Sequence, residues 1–387
     1  MTTANINLPR ILRVGAGASA EVADVLRQLG LQRPLLVTDP FMVQCGYAER
    51  ISGALGAASV PCGQFSDSVP DPTTDSVELG LETLRAGDYD CLVALGGGSA
   101  IDTAKAMAVM VERQGPMRDY KVPQQIDSGL PVIAIPTTAG TGSEATRAAV
   151  ITDSETSEKM LCMGLGFMPV AALVDYELTL TMPYRLTADT GIDSLCHALE
   201  AYVSRKANPF TDGIALTAMH AIHQHIRTAC AEPDNRVARE AMMLAATQGG
   251  MAFSNASVTL IHGMSRPIGG LFHVPHGLSN AMLLPEVTAW SVGHATERYA
   301  TAARAMNLAD AGDADSLALG KLSDGLRQLN ADLAVPTPRD YGIDENTWHD
   351  SLALMAEQAL ASGSPANNPR VPEADDIIVL YQRVWAG

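Results

Sequence analysis

One carboxylate and three imidazoles form the most chemically informative set of side chains in this sequence. Asp193 and His197 stand four residues apart in GIDSLCHALEAY, a segment with a helical pattern of apolar residues. This spacing places both side chains on one helix face, one turn apart. His262 and His276 follow further along the chain, and each precedes a glycine. One anionic and three neutral ligands suit a divalent metal such as Fe²⁺ or Zn²⁺, which polarises a carbonyl and lowers the pKa of an alcohol.

An ordinary structural role is the alternative for these residues. An Asp and a His at this helical spacing are more often a hydrogen-bonded or solvated pair than a pair of metal ligands. However, two His-Gly pairs, with Pro275 before the second, are uncommon in an apolar helical core. Taken alone, the residues favour a metal site without deciding it.

The same residues carry a resemblance to a known family. The patterns D-x-x-x-H, H-G-M-x-x-P-x-G and P-H-G resemble those of the iron-containing (group III) alcohol dehydrogenases, in the dehydroquinate synthase-like superfamily. The resemblance extends over essentially the whole chain, including an NNPR stretch at residues 367–370. It implies a catalytic Fe²⁺, with Zn²⁺ as the alternative, held by Asp193, His197, His262 and His276. It also implies hydride transfer between a primary alcohol and NAD.

Composition restricts the class of protein. The chain has 387 residues, of which 47% are hydrophobic and 18% are charged, so we expect a globular protein with two domains. A net charge of −17 argues against nucleic acid or an anionic membrane as partners. No signal-peptide pattern or long apolar run is present, and the six cysteines are scattered. These features favour a cytoplasmic protein.

The order of secondary structure predicts two different domains. Short apolar strands separated by amphipathic helices are expected at 35–38, 91–95, 132–135 and 171–174. One such helix is expected over 19–29, closed by Gly30. Longer helical patterns follow at 212–228, 236–254 and 315–329. The sequence therefore predicts an α/β Rossmann-like dinucleotide-binding domain over 1–183 and an all-α metal-binding domain over 184–387.

A glycine turn after the second predicted strand is a candidate phosphate site. Gly97, Gly98 and Ser99 end this strand and open a helix, where backbone N–H groups approach a pyrophosphate. A plain tight turn is the alternative from the residues alone, and the resemblance favours the phosphate site and adds Asp102. A second motif, GAGASA from Gly15, fits a dinucleotide fingerprint but lacks its context. We therefore expect no cofactor contact there.

Further cofactor contacts follow from the resemblance. Asp39 ends the first predicted strand, where a carboxylate accepts hydrogen bonds from a ribose and repels a 2′-phosphate, which favours NAD over NADP. A turn Asp before Pro40 is the alternative. The remaining residues implied as cofactor contacts lie in a TTAGTGSE loop and at two isolated positions: Thr137, Thr138, Thr141, Lys159 and Phe253.

Two arginines suggest an anionic substrate, such as an ω-hydroxy acid. Arg266 replaces a histidine common in the family, and Arg147 matches a position near the substrate; arginine binds carboxylates well. Ion pairs with local carboxylates or the cofactor are the alternative. We expect His273 to line the substrate site without binding the metal. The competing functions are a lyase of the dehydroquinate synthase type, a maleylacetate reductase-type or other carbonyl reductase of this superfamily, and a non-catalytic binding protein. The resemblance also implies a homodimer or higher homo-oligomer acting on a small alcohol or aldehyde.

Overall fold

The computed structural model describes residues 3–387 and divides them into two compact units. One unit comprises Ile6–Thr181, and the other comprises Met182–Gly387 together with residues 3–5. The sequence predicts the boundary after residue 183. Among the described residues, no helix is long and apolar enough to cross a membrane.

The first unit is built on a parallel sheet. The strands of this unit are β1 (Ile11–Val14), β2 (Pro34–Val37), β3 (Gly63–Phe65), β4 (Cys91–Gly96), β5 (Val132–Pro136), β6 (Ala148–Thr152), β7 (Lys159–Met163) and β8 (Ala171–Val174). Six of them form one sheet in the order β1-β8-β5-β4-β2-β3, with parallel pairing throughout. The predicted α/β fold is confirmed.

Both faces of this sheet are covered by helices. These helices are α1 (Val22–Leu29), α2 (Pro40–Gln44), α3 (Tyr47–Ala57), α4 (Thr74–Ala86) and α5 (Gly98–Met110). Alternate residues of one strand belong to two separate apolar clusters: Leu92 packs with α4 and α5, whereas Val93 packs with α1 and α3. Burial on both faces explains why the central strands are uniformly apolar. Gly30 closes α1 in the left-handed conformation at φ 73°, as predicted.

One hairpin was not predicted from the sequence. Strands β6 and β7 pair antiparallel as a separate two-stranded sheet. In both strands buried and half-exposed residues alternate, so neither contains the continuous apolar run that marks the central strands. The sequence therefore contains only a weak indication of these strands.

The second unit is helical. The helices of this unit are α6 (Tyr184–Val203), α7 (Pro209–Ala231), α8 (Arg236–Asn255), α9 (Leu260–Phe272), α10 (His276–Ser291), α11 (Thr296–Ala305), α12 (Asp315–Asp332), α13 (Pro338–Tyr341), α14 (Glu345–Ala361) and α15 (Ala374–Ala386). The predicted helices at 212–228, 236–254 and 315–329 lie within α7, α8 and α12. The predicted all-α character is confirmed.

Helix α6 has no exposed face over its second half. Every residue from Gly191 to Val203 is buried, and the helix packs against α7, α8 and α10. A Cβ on Gly191 would lie 2.8 Å from Ile226 Cδ1, so the glycine permits close approach of α7. Because buried polar side chains require partners, the Asp, His and Glu residues of this stretch must be paired inside the protein or with a ligand.

Candidate active site

Helix α6 positions the first two predicted ligands. Asp193 and His197 are one turn apart, and both are buried, with 2% and 4% of their surface exposed. His197 Nε2 lies 3.8 Å from Asp193 Oδ1. The helical spacing predicted from the sequence therefore brings both side chains to one point inside the unit.

Helices α9 and α10 bring the other two histidines to the same point. His262 lies in the first turn of α9, and its Nε2 is 3.4 Å from Asp193 Oδ1. His276 is the first residue of α10, and its Nε2 is 3.7 Å from the same oxygen. The side chain of His276 is 43% exposed, which gives the group an approach from solvent.

The geometry of these atoms fits a divalent metal. One ligand atom from each of Asp193, His262 and His276 lies within 4.8 Å of the others. Bonds of about 2.0–2.2 Å to a tetrahedral ion would hold two ligand atoms about 3.3–3.6 Å apart. The distances from Asp193 Oδ1 are close to that range. His197 borders this group, and its ring stacks on that of His262 at 4.6 Å between centroids. Nitrogen and carboxylate ligands of this kind accept Fe²⁺ or Zn²⁺.

The electrostatics keep Asp193 and His197 in the protonation states that a metal requires. Burial acts to raise the pKa of Asp193, but His197 and His276 outweigh it and hold that pKa below its ordinary value. Burial lowers the pKa of His197 to about 4, so its ring is neutral at neutral pH. Asp193 therefore offers a charged oxygen, and His197 offers a nitrogen lone pair.

A buried carboxylate that the sequence analysis did not single out contacts one predicted ligand. Glu200 on α6 is 1% exposed, and its Oε2 contacts His262 Nδ1. Its Oε1 accepts hydrogen bonds from Thr259 Oγ1 at 2.8 Å and from the Ile261 backbone N–H at 2.7 Å. Burial acts to lower the pKa of His262, but Glu200 outweighs it and raises that pKa. Its position one turn after His197, on the same helix face, was the available indication.

Hydroxyl and amide groups surround the histidines. Ser279 Oγ donates to the His276 carbonyl at 2.9 Å, so it must accept from Ser265 Oγ, 2.5 Å away. Ser265 Oγ is then left to accept from His276 Nδ1, at 3.3 Å. This chain places the His276 proton on Nδ1 and leaves Nε2 unprotonated, facing Asp193. Neither serine was predicted from the sequence.

The remaining predicted residues of this unit lie near the histidines or on the same helix. Phe253 stacks on His197 with ring centroids 4.3 Å apart, so its ring covers a predicted ligand. Arg266 lies one turn after His262 on α9 and is half-buried; burial lowers its pKa, against the opposing charge of Glu200. His273 ends α9 in the left-handed conformation at φ 54° and is exposed.

In the first unit, the predicted cofactor residues gather at the ends of β4 and β5. Gly97 caps α5, and a Cβ there would lie 3.2 Å from Thr138 Cγ2. A Cβ on Gly98 would lie 2.8 Å from Thr141 Cγ2. The Thr137 backbone N–H donates to the Gly96 carbonyl at 3.0 Å. The glycine turn and the threonine loop, predicted separately, therefore form one surface at the carboxyl end of the sheet, beside the half-buried Ser99.

Two carboxylates adjoin this surface. Asp39 caps α2 by accepting from the Met42 N–H at 2.9 Å, and its Oδ2 lies 3.2 Å from where a Cβ on Gly96 would stand. Asp102 accepts from Ser143 Oγ at 2.6 Å and from the Val150 N–H at 2.9 Å. Asp39 is thus placed beside the glycine turn, whereas both oxygens of Asp102 hold the segment that follows the threonine loop.

Lys105 is a second buried charged residue that the sequence analysis did not single out. It is fully buried on α5, and its Nζ lies 2.7 Å from the Ser143 carbonyl oxygen and 2.8 Å from the Ala148 carbonyl oxygen. The ammonium ties the helix that begins at the glycine turn to the end of the threonine loop. A lysine in a helix ordinarily indicates an exposed charge, so only the fold shows this role.

The glycine motif that begins at Gly15 is hydrogen-bonded to a carboxylate of the protein itself. Asp175, which follows β8, is fully buried and accepts hydrogen bonds from the Gly17 N–H at 3.1 Å and from Ser19 Oγ at 2.6 Å. These are the donors that a phosphate would need. A carboxylate of the protein itself therefore takes the place of a phosphate at this turn.

Two predicted residues lie around the hairpin. Lys159 begins β7 and pairs with Asp71, with 3.1 Å between Nζ and Oδ2. Arg147 is half-buried immediately before β6, and its carbonyl accepts from the Gly164 N–H at 3.1 Å. The Lys159 ion pair is the local alternative to a cofactor contact.

Comparison with known proteins identifies relatives over the whole chain. Residues 9–176 match the family model described as iron-containing alcohol dehydrogenase, and residues 187–385 match that of the Fe-containing alcohol dehydrogenase family, C-terminal. An NAD-dependent methanol dehydrogenase of Bacillus methanolicus is 35% identical, covering 98% of this chain and 99% of the relative. A 1,3-propanediol oxidoreductase structure has a TM-score of 0.94 at 32% identity, over 99% of this chain and 100% of the other. A sulfoacetaldehyde reductase from Bifidobacterium kashiwanohense, in complex with NAD+, has a TM-score of 0.89 at 29% identity over 100% of both chains.

Proposed function

Because this chain belongs to the iron-containing alcohol dehydrogenase family, it is a metal-dependent and nicotinamide-dependent oxidoreductase, and we propose which of its residues carry out the reaction. The substrate is a small primary alcohol or the corresponding aldehyde, and the cofactor is NAD. The observation that carries this proposal is the convergence of one buried carboxylate and three imidazoles from α6, α9 and α10.

The proposed metal ligands are Asp193, His197, His262 and His276. When bound, Fe²⁺ or Zn²⁺ acts as a Lewis acid toward the substrate oxygen. The protein holds the four side chains in place before substrate arrives, since three of them are buried in helices that pack together. Phe253 covers one side of His197 with an apolar ring and restricts water there.

The proposed cofactor surface is the glycine turn with the threonine loop. Gly97 and Gly98 leave space at the start of α5, where N–H groups and the positive end of the helix dipole favour a pyrophosphate. Thr137, Thr138 and Thr141 are proposed to supply hydroxyl groups beside it, and Ser99, Asp102 and Lys159 complete the proposed set. The NAD-dependent dehydrogenase and the NAD+ complex among the relatives support this assignment.

Replacing Asp39 by asparagine is expected to shift the preference toward NADP. Asparagine caps a helix as well as aspartate does, so the bond to the Met42 N–H is retained and only the charge is removed. Without repulsion of the 2′-phosphate, the ratio of kcat/KM for NADP+ to that for NAD+ should rise at least about tenfold, which corresponds to about 1.4 kcal/mol. Steady-state kinetics with both cofactors measure this ratio. An unchanged ratio would remove Asp39 from the proposed cofactor site.

We also propose that the substrate carries an anionic group. Arg266 presents a guanidinium one helix turn from His262, and it remains charged because arginine does not deprotonate in proteins. One structurally similar protein is named a sulfoacetaldehyde reductase, and sulfoacetaldehyde is an anionic aldehyde, which supports this proposal. Arg147 is the second proposed contact and His273 a third, exposed one.

The test of the function is NAD+ reduction by protein stripped of metal and then reconstituted with Fe²⁺ or Zn²⁺. We expect activity to disappear on stripping and to return with metal, and ω-hydroxy acids to be preferred over simple primary alcohols. Full activity of the stripped protein would instead favour a metal-independent reductase.

The Arg266→Ala and Arg147→Ala variants, assayed on the same substrates, should lose the preference for ω-hydroxy acids while retaining activity on simple alcohols. Retention of that preference in both variants would contradict the anionic substrate.

The cellular setting is proposed from the resemblance. The six cysteines, Cys45, Cys62, Cys91, Cys162, Cys196 and Cys230, are all free, which fits a reducing cytoplasm. A homodimer or higher homo-oligomer is proposed because it is common in the family, and light scattering of the purified chain determines the state.

A further inference from the structure

Glu200 is a fully buried carboxylate whose two oxygens have different partners. Oε1 faces donors only: the Thr259 hydroxyl at 2.8 Å and the Ile261 N–H at 2.7 Å. Oε2 contacts His262 Nδ1. With Oε1 taking two donors, the carboxylate is left to accept at Oε2 as well, and His262 Nδ1 is the donor of that contact.

The contacts of the other ring nitrogen, His262 Nε2, lead to the same position for the proton. Asn280 Nδ2 lies 2.6 Å from Asp193 Oδ1, and the amide must present its NH₂ group there, because an amide oxygen would face a carboxylate oxygen. The same NH₂ group lies 3.2 Å from His262 Nε2. Since an NH₂ group donates, Nε2 is the acceptor of that contact. The proton thus belongs on Nδ1, and the lone pair on Nε2 faces Asp193.

We propose that Glu200 is a positioning residue that fixes the Nδ1–H tautomer of His262, so that Nε2 is free to bind the metal. This inference rests on the proposed metal role of His262. Hydrogen-bond partners of this kind set the tautomer and the ring orientation of metal-binding histidines. Glu200 itself does not belong to the group of ligand atoms around Asp193 and acts through His262.

Glu200 also joins two of the helices that carry ligands. It lies three residues after His197 and seven after Asp193 on α6, on the same helix face. Through Oε1 it receives the hydroxyl and N–H groups at the start of α9, two of the donors that an N-terminus leaves unpaired. The carboxylate therefore fixes where α9 begins relative to α6, and at the same time which nitrogen of His262 is protonated.

The Glu200→Gln substitution separates these two roles. Glutamine has the same shape, and its one oxygen must remain at the Oε1 position, where all partners are donors. Its NH₂ group then faces His262 Nδ1 and requires a lone pair there, which moves the proton to Nε2. The helix contact is preserved while the tautomer is reversed. We expect the affinity for Fe²⁺ to fall about 10- to 100-fold.

The experiment measures Fe²⁺ binding by chelator competition and the ¹⁵N resonances of His262 in full-length protein labelled at histidine. In the wild type without added metal, Nδ1 should be protonated. In Glu200→Gln, Nδ1 should be unprotonated and Fe²⁺ binding weakened, with an unchanged thermal midpoint. The matched control is Thr259→Val, which removes one partner of Oε1 and leaves Oε2 alone. It should keep Nδ1 protonated and bind Fe²⁺ within about threefold of the wild type.

Several results would overturn the inference. One is a Glu200→Gln variant that binds Fe²⁺ with wild-type affinity, and another is a Glu200→Gln variant in which Nδ1 of His262 is still protonated. A third is a Thr259→Val variant whose Fe²⁺ affinity falls as much as that of Glu200→Gln, which would show that the packing of α9 is responsible for the loss of affinity. Wild-type protein that binds neither Fe²⁺ nor Zn²⁺ would overturn the proposed function itself, and with it this inference.

Discussion

Replacing His276 by alanine is expected to lower kcat by at least about 10³-fold and to reduce the metal bound by the purified protein. The side chain supplies one of the nitrogen atoms that converge on Asp193, at 3.7 Å from its Oδ1. A Lewis-acid metal contributes several kcal/mol to such a reaction, and each 1.36 kcal/mol corresponds to about a factor of ten in rate. Metal analysis and steady-state kinetics on the same preparation measure both effects.

The exposure of His276 makes this substitution a clean test. Because 43% of its side chain is exposed, its removal leaves no buried cavity, and the thermal midpoint should change little. His294→Ala is the matched control, since that histidine is exposed in the same unit. We expect the control to keep its metal and its activity. A His276→Ala variant with wild-type metal content and kcat would refute the ligand assignment.

Replacing Gly98 by valine is expected to raise KM for NAD+ about 100-fold or more. The first side-chain carbon would stand 2.8 Å from Thr141 Cγ2 and 3.0 Å from Thr141 Oγ1, closer than non-bonded carbon atoms pack. The threonine must move, and the valine fills the space at the start of α5 where the pyrophosphate is proposed to bind. Displacing a bound group by about 1 Å is enough for a 100-fold effect. Initial rates at varied NAD+ measure it.

A second glycine of the same unit provides the control. Gly53 lies in α3, and a Cβ there would meet no atom within 4 Å, so Gly53→Ala should leave KM for NAD+ unchanged. Calorimetry of both variants shows whether the first unit still unfolds at its normal temperature. If a folded Gly98→Val protein binds NAD+ as the wild type does, the cofactor does not contact this turn.

The pattern of apolar residues in the sequence was enough to predict much of the architecture. Runs such as 91–95 and 171–174 are continuously apolar because both faces of the sheet are covered, and the predicted strands agree with β4 and β8 to within one residue. The spacing of Asp193 and His197 placed them on one face of α6, since helical periodicity is a local property. The hairpin β6–β7 was missed because its alternation is weak and its pairing is not local.

Contacts between distant segments were decided only by the tertiary structure. Asp175 lies 158 residues from Gly17, yet its carboxylate takes the N–H groups of a motif that resembles a phosphate site. Lys105 reaches the Ser143 carbonyl across 38 residues, and nothing near it in sequence distinguishes it from an exposed lysine. Such contacts depend on which strands are neighbours in the sheet, and no local pattern contains that information.

The proposed ligands show the same division between what the sequence determines and what only the tertiary structure decides. Residue types and short spacings determined that one carboxylate and three imidazoles are available, because ligand chemistry depends on side-chain identity. Only the folded chain decided which nitrogen of each ring faces Asp193. That choice is made for His262 by Glu200, 62 residues away, and for His276 by Ser265 and Ser279. A proton on imidazole responds to whatever atom lies within hydrogen-bond distance, and that atom is supplied by packing between helices and not by sequence neighbours.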